Sequence, residues 1–285
     1  MNFKCFKGLY GGKIIKKKSL GQNFLKDERV LGKIVEAGEL SPDDNILEIG
    51  PGEGALTKKL LEKVNRVLAI EKDERMKDNS SQLQQLDEGS DGLKLHFGDI
   101  LDVNLAEILQ KNNFDEYKVI ANIPYYITGK IIRLLFEQEK HPELIVILVQ
   151  KEVADRICAK NGKQSILSLS VQYYASAEVV DYVPRESFDP APKVDSAILK
   201  IVPKQPQTDA DLTRTDIENS DKKFFRLVRV GFSSPRKTLI NNLKNGLKLE
   251  REELEGIFKK LNLDQNIRAE KMTIDNWQQL GEKIK

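Results

Sequence analysis

Asn45-Ile-Leu-Glu-Ile-Gly-Pro-Gly-Glu-Gly54 is the stretch that decides the fold of this chain. Ile46, Leu47 and Ile49 form a short apolar run after the turn Ser41-Pro42-Asp43-Asp44, which predicts a buried strand over 45–49. Gly50, Gly52 and Gly54 follow at once and open a helical stretch over 55–63. Glycine lets a backbone come close to a ligand because no Cβ stands in the way. A strand, a glycine turn and a helix in that order make the first unit of a nucleotide-binding α/β fold.

The same alternation continues outward. Strands are expected at 66–70, ending at Glu71, at 93–97, ending near Asp99, and at 118–121. The run 143–150 is almost wholly apolar, so it reads as a strand buried on both faces. Repeated strand–helix alternation predicts a parallel, doubly wound, Rossmann-like α/β sheet. Two further strands are expected at 171–183 and 196–202, on either side of a proline-rich loop at 184–192. Residues 74–92 read as a helix of low apolar content plus a loop. A polar linker is expected at 203–216. Beyond it, Phe224, Leu227 and Val228, then Leu239 and Leu243, then Leu254, Ile257, Phe258 and Leu261 repeat at helical spacing. They predict a small C-terminal helical domain.

Composition excludes several classes. The chain has 285 residues, 40% hydrophobic and 32% charged, which fits a soluble globular protein. No apolar run approaches the roughly 18 residues of a membrane span, and no signal-peptide core follows the basic N-terminus. Two cysteines and two histidines are too few for a disulfide framework, a metal centre or a histidine-based triad. No metal and no membrane are expected, and the compartment reading is cytoplasmic. The net charge of +2 hides an asymmetry: residues 1–26 carry seven lysines and no acid, and residues 222–248 carry eight basic residues and no acid. Two basic segments on an acidic body point to a polyanion that touches selected surfaces.

The chemistry-bearing motifs sit at the expected strand ends. Gly50, Gly52 and Ala55 suit S-adenosylmethionine, yet they also satisfy the dinucleotide fingerprint with its final alanine. Glu71 can accept hydrogen bonds from ribose hydroxyls of either cofactor. Asp99 can accept one from an adenine amino group, or simply cap a helix over 101–109. Asn122-Ile123-Pro124-Tyr125 discriminates. The Asn122 side-chain oxygen and the Ile123 carbonyl offer two acceptors for an exocyclic amine. Pro124 removes a competing N–H, and Tyr125 offers an aromatic face. An adenine amine is a poor nucleophile because its lone pair is delocalised into the ring. Holding both its hydrogens favours a pyramidal nitrogen aimed at a methyl group.

With these residues in view, the chain resembles the ribosomal RNA adenine dimethyltransferases, most closely the type acting on small-subunit RNA. The matching segments are Ser19-Leu-Gly-Gln-Asn-Phe-Leu25, Glu48–Gly54, Asn122–Tyr125, Phe188-Asp-Pro-Ala-Pro-Lys-Val-Asp-Ser196, Arg236-Lys-Thr-Leu239 with Asn241-Asn242-Leu243, and Arg268-Ala-Glu270. The resemblance implies a class I methyltransferase sheet that uses S-adenosylmethionine. Asn23 and Leu25 would contact and cover the cofactor, with Gly50, Gly52, Glu71, Asp99 and Asn122 completing its site. Asn122, Ile123, Pro124 and Tyr125 would hold the target adenine, and Phe188 would stack on its other face. It implies a methyltransferase domain at 19–203 and a helical RNA-binding domain at 204–285, while the basic extension at 1–18 is longer than the resemblance leads one to expect and has no assigned role. Lys222, Lys223, Arg226, Arg229, Arg236 and Lys237 would meet phosphates. The implied partners are small-subunit ribosomal RNA and the immature small subunit, with the protein a monomer. Many relatives carry Asn where this chain has Tyr126, and Gln and Arg where it has Phe232-Ser-Ser-Pro235. The competing readings are a large-subunit methyltransferase of the antibiotic-resistance type, an assembly factor that needs no catalysis, and a nicotinamide oxidoreductase.

Overall fold

A computed structural model describes residues 23–77, 82–89, 91–159, 163–204 and 214–284. The basic extension 1–18, residues 19–22 of the first motif and most of the expected linker lie outside the described residues.

The chain begins with β1 (Phe24–Leu25) and α1 (Glu28–Ala37), the latter capped by the Asp27 carboxylate accepting from the Arg29 N–H. Next come β2 (Asn45–Ile49), α2 (Ala55–Leu61), β3 (Arg66–Glu71), α3 (Gln82–Gly89), β4 (Leu93–Phe97), α4 (Leu105–Lys111), β5 (Lys118–Asn122), α5 (Thr128–Phe136) and β6 (Leu144–Gln150). After these follow α6 (Lys151–Cys158), α7 (Ile166–Tyr174), β7 (Ala175–Val183), β8 (Phe188–Asp189) and β9 (Ser196–Pro203). The C-terminal part holds α8 (Arg214–Gly231), α9 (Leu239–Leu247), α10 (Arg251–Lys260) and α11 (Ile274–Lys283). No described helix is long and apolar enough to cross a membrane.

Seven strands form one sheet in the order β4-β3-β2-β5-β6-β9-β7. The first five of these are parallel, while β9 runs antiparallel to both β6 and β7. The sheet is therefore mixed, not parallel throughout. The reason lies in the connections: β7 and β9 are joined by a loop and the short β8, with no crossover helix, and only antiparallel strands can be joined so briefly. Alternation along the central strands feeds two cores. Ile145, Ile147 and Val149 of β6 point into one cluster, and Leu144, Val146 and Leu148 into the other. A strand buried on both faces needs this continuous apolar run.

Two boundaries differ from expectation. Residues 171–174 are helical, because Ser165 and Ser168 form a capping box that starts α7 and Val171 packs into the core from it. The helix expected over 101–109 starts only at Leu105, where the Asn104 side chain accepts from the Glu107 N–H.

Helices α8 to α11 bury their own cluster around Trp277, Phe258 and Leu243. Leu169 and Tyr173 of α7 belong to the same cluster. The Tyr173 and Tyr174 hydroxyls donate to the Asp221 carboxylate at 2.9 and 2.8 Å. The helical part is thus bound to the sheet part by apolar packing and by charge-assisted hydrogen bonds.

Candidate active site

The chain leaves β2 for β3 and β4 on one side of the sheet, then returns to β5 on the other. Strand order reverses between β2 and β5, and such a reversal opens a crevice at the carboxyl ends of the strands. Here it is a cavity of about 970 Å³. Its walls include Asn23, Leu25, Gly50, Gly52, Glu71, Asp99, Asn122, Ile123, Pro124 and Tyr125. Residues expected from five separate segments of sequence thus share one wall.

The glycine turn shapes the floor. Gly52 has φ +58°, and a Cβ there would stand 2.9 Å from Phe24 Cε1, so a side chain would be strained and would displace the β1 cover. Gly50 has φ +70° and faces open space, with the Asn122 carbonyl oxygen 4.0 Å from the position of a Cβ. That gap between two strand ends is room a ligand can use.

Glu71 closes β3 and is 6% exposed. Its Oε2 accepts from the Gly52 N–H at 3.0 Å and its Oε1 from the Asp73 N–H at 2.6 Å. Burial raises its pKa, against the pull of those N–H groups. Each carboxylate oxygen keeps a further lone pair for a hydroxyl. Asp99 follows β4, where its Oδ1 accepts from the Leu101 N–H at 3.0 Å and its Oδ2 pairs with the Lys72 ammonium. Burial opposes its ionisation, but Lys72 and the Leu101 N–H outweigh it and the pKa is lowered. Asp99 therefore forms a side-chain turn over Leu101 and is not the cap of α4.

Asn122 is the last residue of β5, and its Nδ2 donates to the Asn23 carbonyl at 3.4 Å. Asn122 also lines the cavity, and its Oδ1 remains an acceptor. Among the described residues no donor meets that Oδ1 or the Ile123 carbonyl. Ile123 itself is 2% exposed and anchors the turn in the core. Tyr125 is half-buried and its hydroxyl is hydrogen-bonded to Ser196 Oγ at the start of β9. Burial raises the pKa of this phenol, so it stays neutral across the physiological range.

Phe188 departs from expectation. It is 4% exposed and lies in the core cluster with Leu25, its partner across the antiparallel β1–β8 pair. The alternation of β8 turns Asp189 out to Lys26 and Phe188 in. Phe188 is not among the residues that line the cavity.

Glu48 was quoted in the sequence only as the opening of the glycine motif. It is 1% exposed, lines the cavity, and its Oε2 has no hydrogen-bond partner among the described residues. Burial pushes its carboxyl up to about 8. The nearby Thr57 hydroxyl pulls the other way, and the Glu71 charge adds to the rise. The Thr57 Oγ1 completes no well-aligned hydrogen bond. An acid on an otherwise apolar strand was the available signal. Ser196 was also missed as a partner of Tyr125, because 70 residues of sequence intervene.

The basic residues singled out in the C-terminal part are all exposed. Lys222, Arg226 and Arg229 share one face of α8, at the spacing of successive helical turns, with Lys223 beside them. Arg236 and Lys237 sit in the turn before α9. Among the described residues, Arg226, Arg229, Arg236 and Lys237 make no ion pair. Asn242 pins that turn: it is buried, and its Nδ2 donates to the carbonyls of Gly231 and Ser234 at 2.6 and 3.1 Å.

Comparison with known proteins agrees with this geometry. The family model described as ribosomal RNA adenine dimethylase matches residues 14–285. The ribosomal RNA small subunit methyltransferase A of Dehalococcoides mccartyi is 40% identical over 93% of this chain and 87% of its own length. Among solved structures, a dimethyladenosine transferase from Plasmodium falciparum superposes with a TM-score of 0.71 at 28% identity, covering 90% of this chain and 95% of that one. The 23S rRNA methyltransferase ErmE superposes equally well, TM-score 0.71, at 25% identity over 92% of this chain and 99% of that one. With its match running from residue 14 to the C-terminus, the chain belongs to the ribosomal RNA adenine dimethylase family.

Proposed function

We propose that this protein methylates N6 of two adjacent adenines near the 3′ end of small-subunit ribosomal RNA, to dimethyladenosine, using S-adenosylmethionine, on the immature small subunit. The observation that carries the proposal is the pair of unsatisfied acceptors, Asn122 Oδ1 and the Ile123 carbonyl, beside Tyr125 at the mouth of the switch-point cavity. The 40% identity to a relative named for the small subunit supports that substrate over the large-subunit one.

The residues present fit the methyl donor. Glu71 would hold ribose hydroxyls, Asp99 an adenine amine, and the room left at Gly50 and Gly52 would take the amino-acid end. S-adenosylmethionine, when bound, supplies an electrophilic methyl group. Asn122 and Ile123 would hold both hydrogens of the target amine and direct its lone pair. Tyr125 would stack on the adenine and so fix the ring plane. No residue must act as base before attack, because the amine proton becomes acidic only once the nitrogen carries the new bond. Exclusion of water by β1 and the Asn23–Asn122 contact strengthens these dipolar interactions. The exposed basic face of α8 and the Arg236–Lys237 turn would bind phosphates, in a monomer acting in the cytoplasm.

The test is a methylation assay with labelled S-adenosylmethionine and ribosomal particles lacking the modification. Small-subunit RNA should be labelled. Label on large-subunit RNA instead would sink the proposal. Asn122→Ala should lower single-turnover transfer at least 100-fold, the size seen when one preorganised polar group is removed, and leave RNA affinity within a few-fold.

A further inference from the structure

Among the described residues, Tyr126 is the most exposed of the large apolar side chains, at 63%. It follows Tyr125 in a single 3₁₀ turn, Tyr125–Ile127, and successive residues of such a turn point about 120° apart. Tyr125 is therefore turned in toward Ser196 while Tyr126 is turned out at the rim of the same cavity. Among the described residues its ring stacks on nothing and its hydroxyl bonds to nothing. Helix α5 starts directly after this turn, and Lys130 and Arg133 extend the rim from it. Arg133 is paired with Glu137 and Lys72 with Asp99, whereas Lys130 makes no ion pair among the described residues; its charge is felt at Asp99, as that of Tyr126 is at Lys72. The rim thus presents an unstacked aromatic face and, four residues further along the chain, an ammonium with no ion pair.

We infer that Tyr126 is a stacking platform for the base next to the target adenine, with Lys130 taking the phosphate between them. The inference rests on the function proposed above. An adenine that enters the cavity leaves the stack of its own strand, and the neighbour it leaves behind has one face bare. An exposed aromatic with a cation at its side is the arrangement that holds such a single-stranded base. The chemistry selects a flat ring, preferably a purine, and not a particular hydrogen-bond pattern.

Steady-state methyl transfer to small-subunit particles tests it, with the full chain as wild type, Tyr126→Phe and Tyr126→Ala. Particles carry either the native base or a pyrimidine in place of the base on one side of one target adenine, and transfer is scored at that adenine alone. Tyr126→Ala should raise KM about tenfold on native particles with kcat within twofold, and Tyr126→Phe should behave as wild type. The replacement that removes the stacked purine should raise the wild-type KM and leave that of Tyr126→Ala almost unchanged. An unaltered KM for Tyr126→Ala, or independent effects of the protein and RNA changes on both sides, overturns the stacking role alone. Absence of transfer by the wild-type chain overturns the underlying function as well.

Discussion

Glu48→Gln isolates a buried carboxyl whose ionisation the fold opposes. The Glu48 carboxyl is 1% exposed and its Oε2 has no partner among the described residues. Burial lifts its pKa from the ordinary value near 4.5 to about 8. A folded-state pKa raised above the unfolded one means that the folded protein holds the extra proton between those values. Stability relative to the Gln chain is therefore highest below pH 4.5, falls as pH rises through the window, and levels off above about 8. At about 1.4 kcal/mol per pH unit the full window is worth on the order of 5 kcal/mol. Gln keeps the volume and cannot ionise. Denaturant unfolding of the full chain without cofactor, at pH 5, 7 and 9, measures the difference. The two chains should agree within about 1 kcal/mol at pH 5, with Gln several kcal/mol more stable at pH 9. Glu71 titrates with the same sign in both chains, and the difference between them contains its coupling to Glu48. Curves that stay parallel from pH 5 to pH 9 would show that Glu48 is not buried as described.

Ser196→Ala and Tyr125→Phe each delete one end of a single hydrogen bond. Each should cost about fivefold in single-turnover transfer, and the double variant no more than either alone. Full additivity would separate the two residues. Arg226→Ala with Arg229→Ala should weaken RNA binding at low salt and reduce the slope of log K against log salt by about 1 per lost phosphate contact, measured by filter binding. An unchanged slope would move the RNA off this face of α8. Gly231→Ala places a Cβ 2.2 Å from Trp277 Cη2 in the C-terminal cluster. Overpacking there should destabilise by about 1–3 kcal/mol, read as a lower thermal midpoint of the helical part; an unchanged midpoint would show that Trp277 can move.

Local pattern was enough wherever one element decides its own state. The apolar run of β6, the glycine turn after β2 and the helical spacing of α9 and α10 can each be read from a few residues, because burial on two faces, positive φ and 3.6-residue periodicity all leave local traces. Of the residues that line the cavity, Gly50, Gly52, Glu71, Asp99 and Asn122–Tyr125 were readable for the same reason: they follow or end strands, and strands are visible. Where the pattern is shared by two states it misled. Val171-Gln-Tyr-Tyr174 is β-branched and aromatic, yet the Ser165 cap and packing against α6 and α8 make it helical.

What sequence alone determined, then, is the set of parts: a doubly wound sheet, a glycine turn, an Asn-Ile-Pro-Tyr strand end and a basic helical end. Tertiary structure decided what those parts face. It joined Ser196 to Tyr125, buried Glu48 without a partner, turned Phe188 into the core and left Tyr126 bare at the rim. These are contacts between residues far apart in the chain, or choices between two sides of one short turn. Their outcome depends on how the layers pack around the cavity, and no local spacing carries that information.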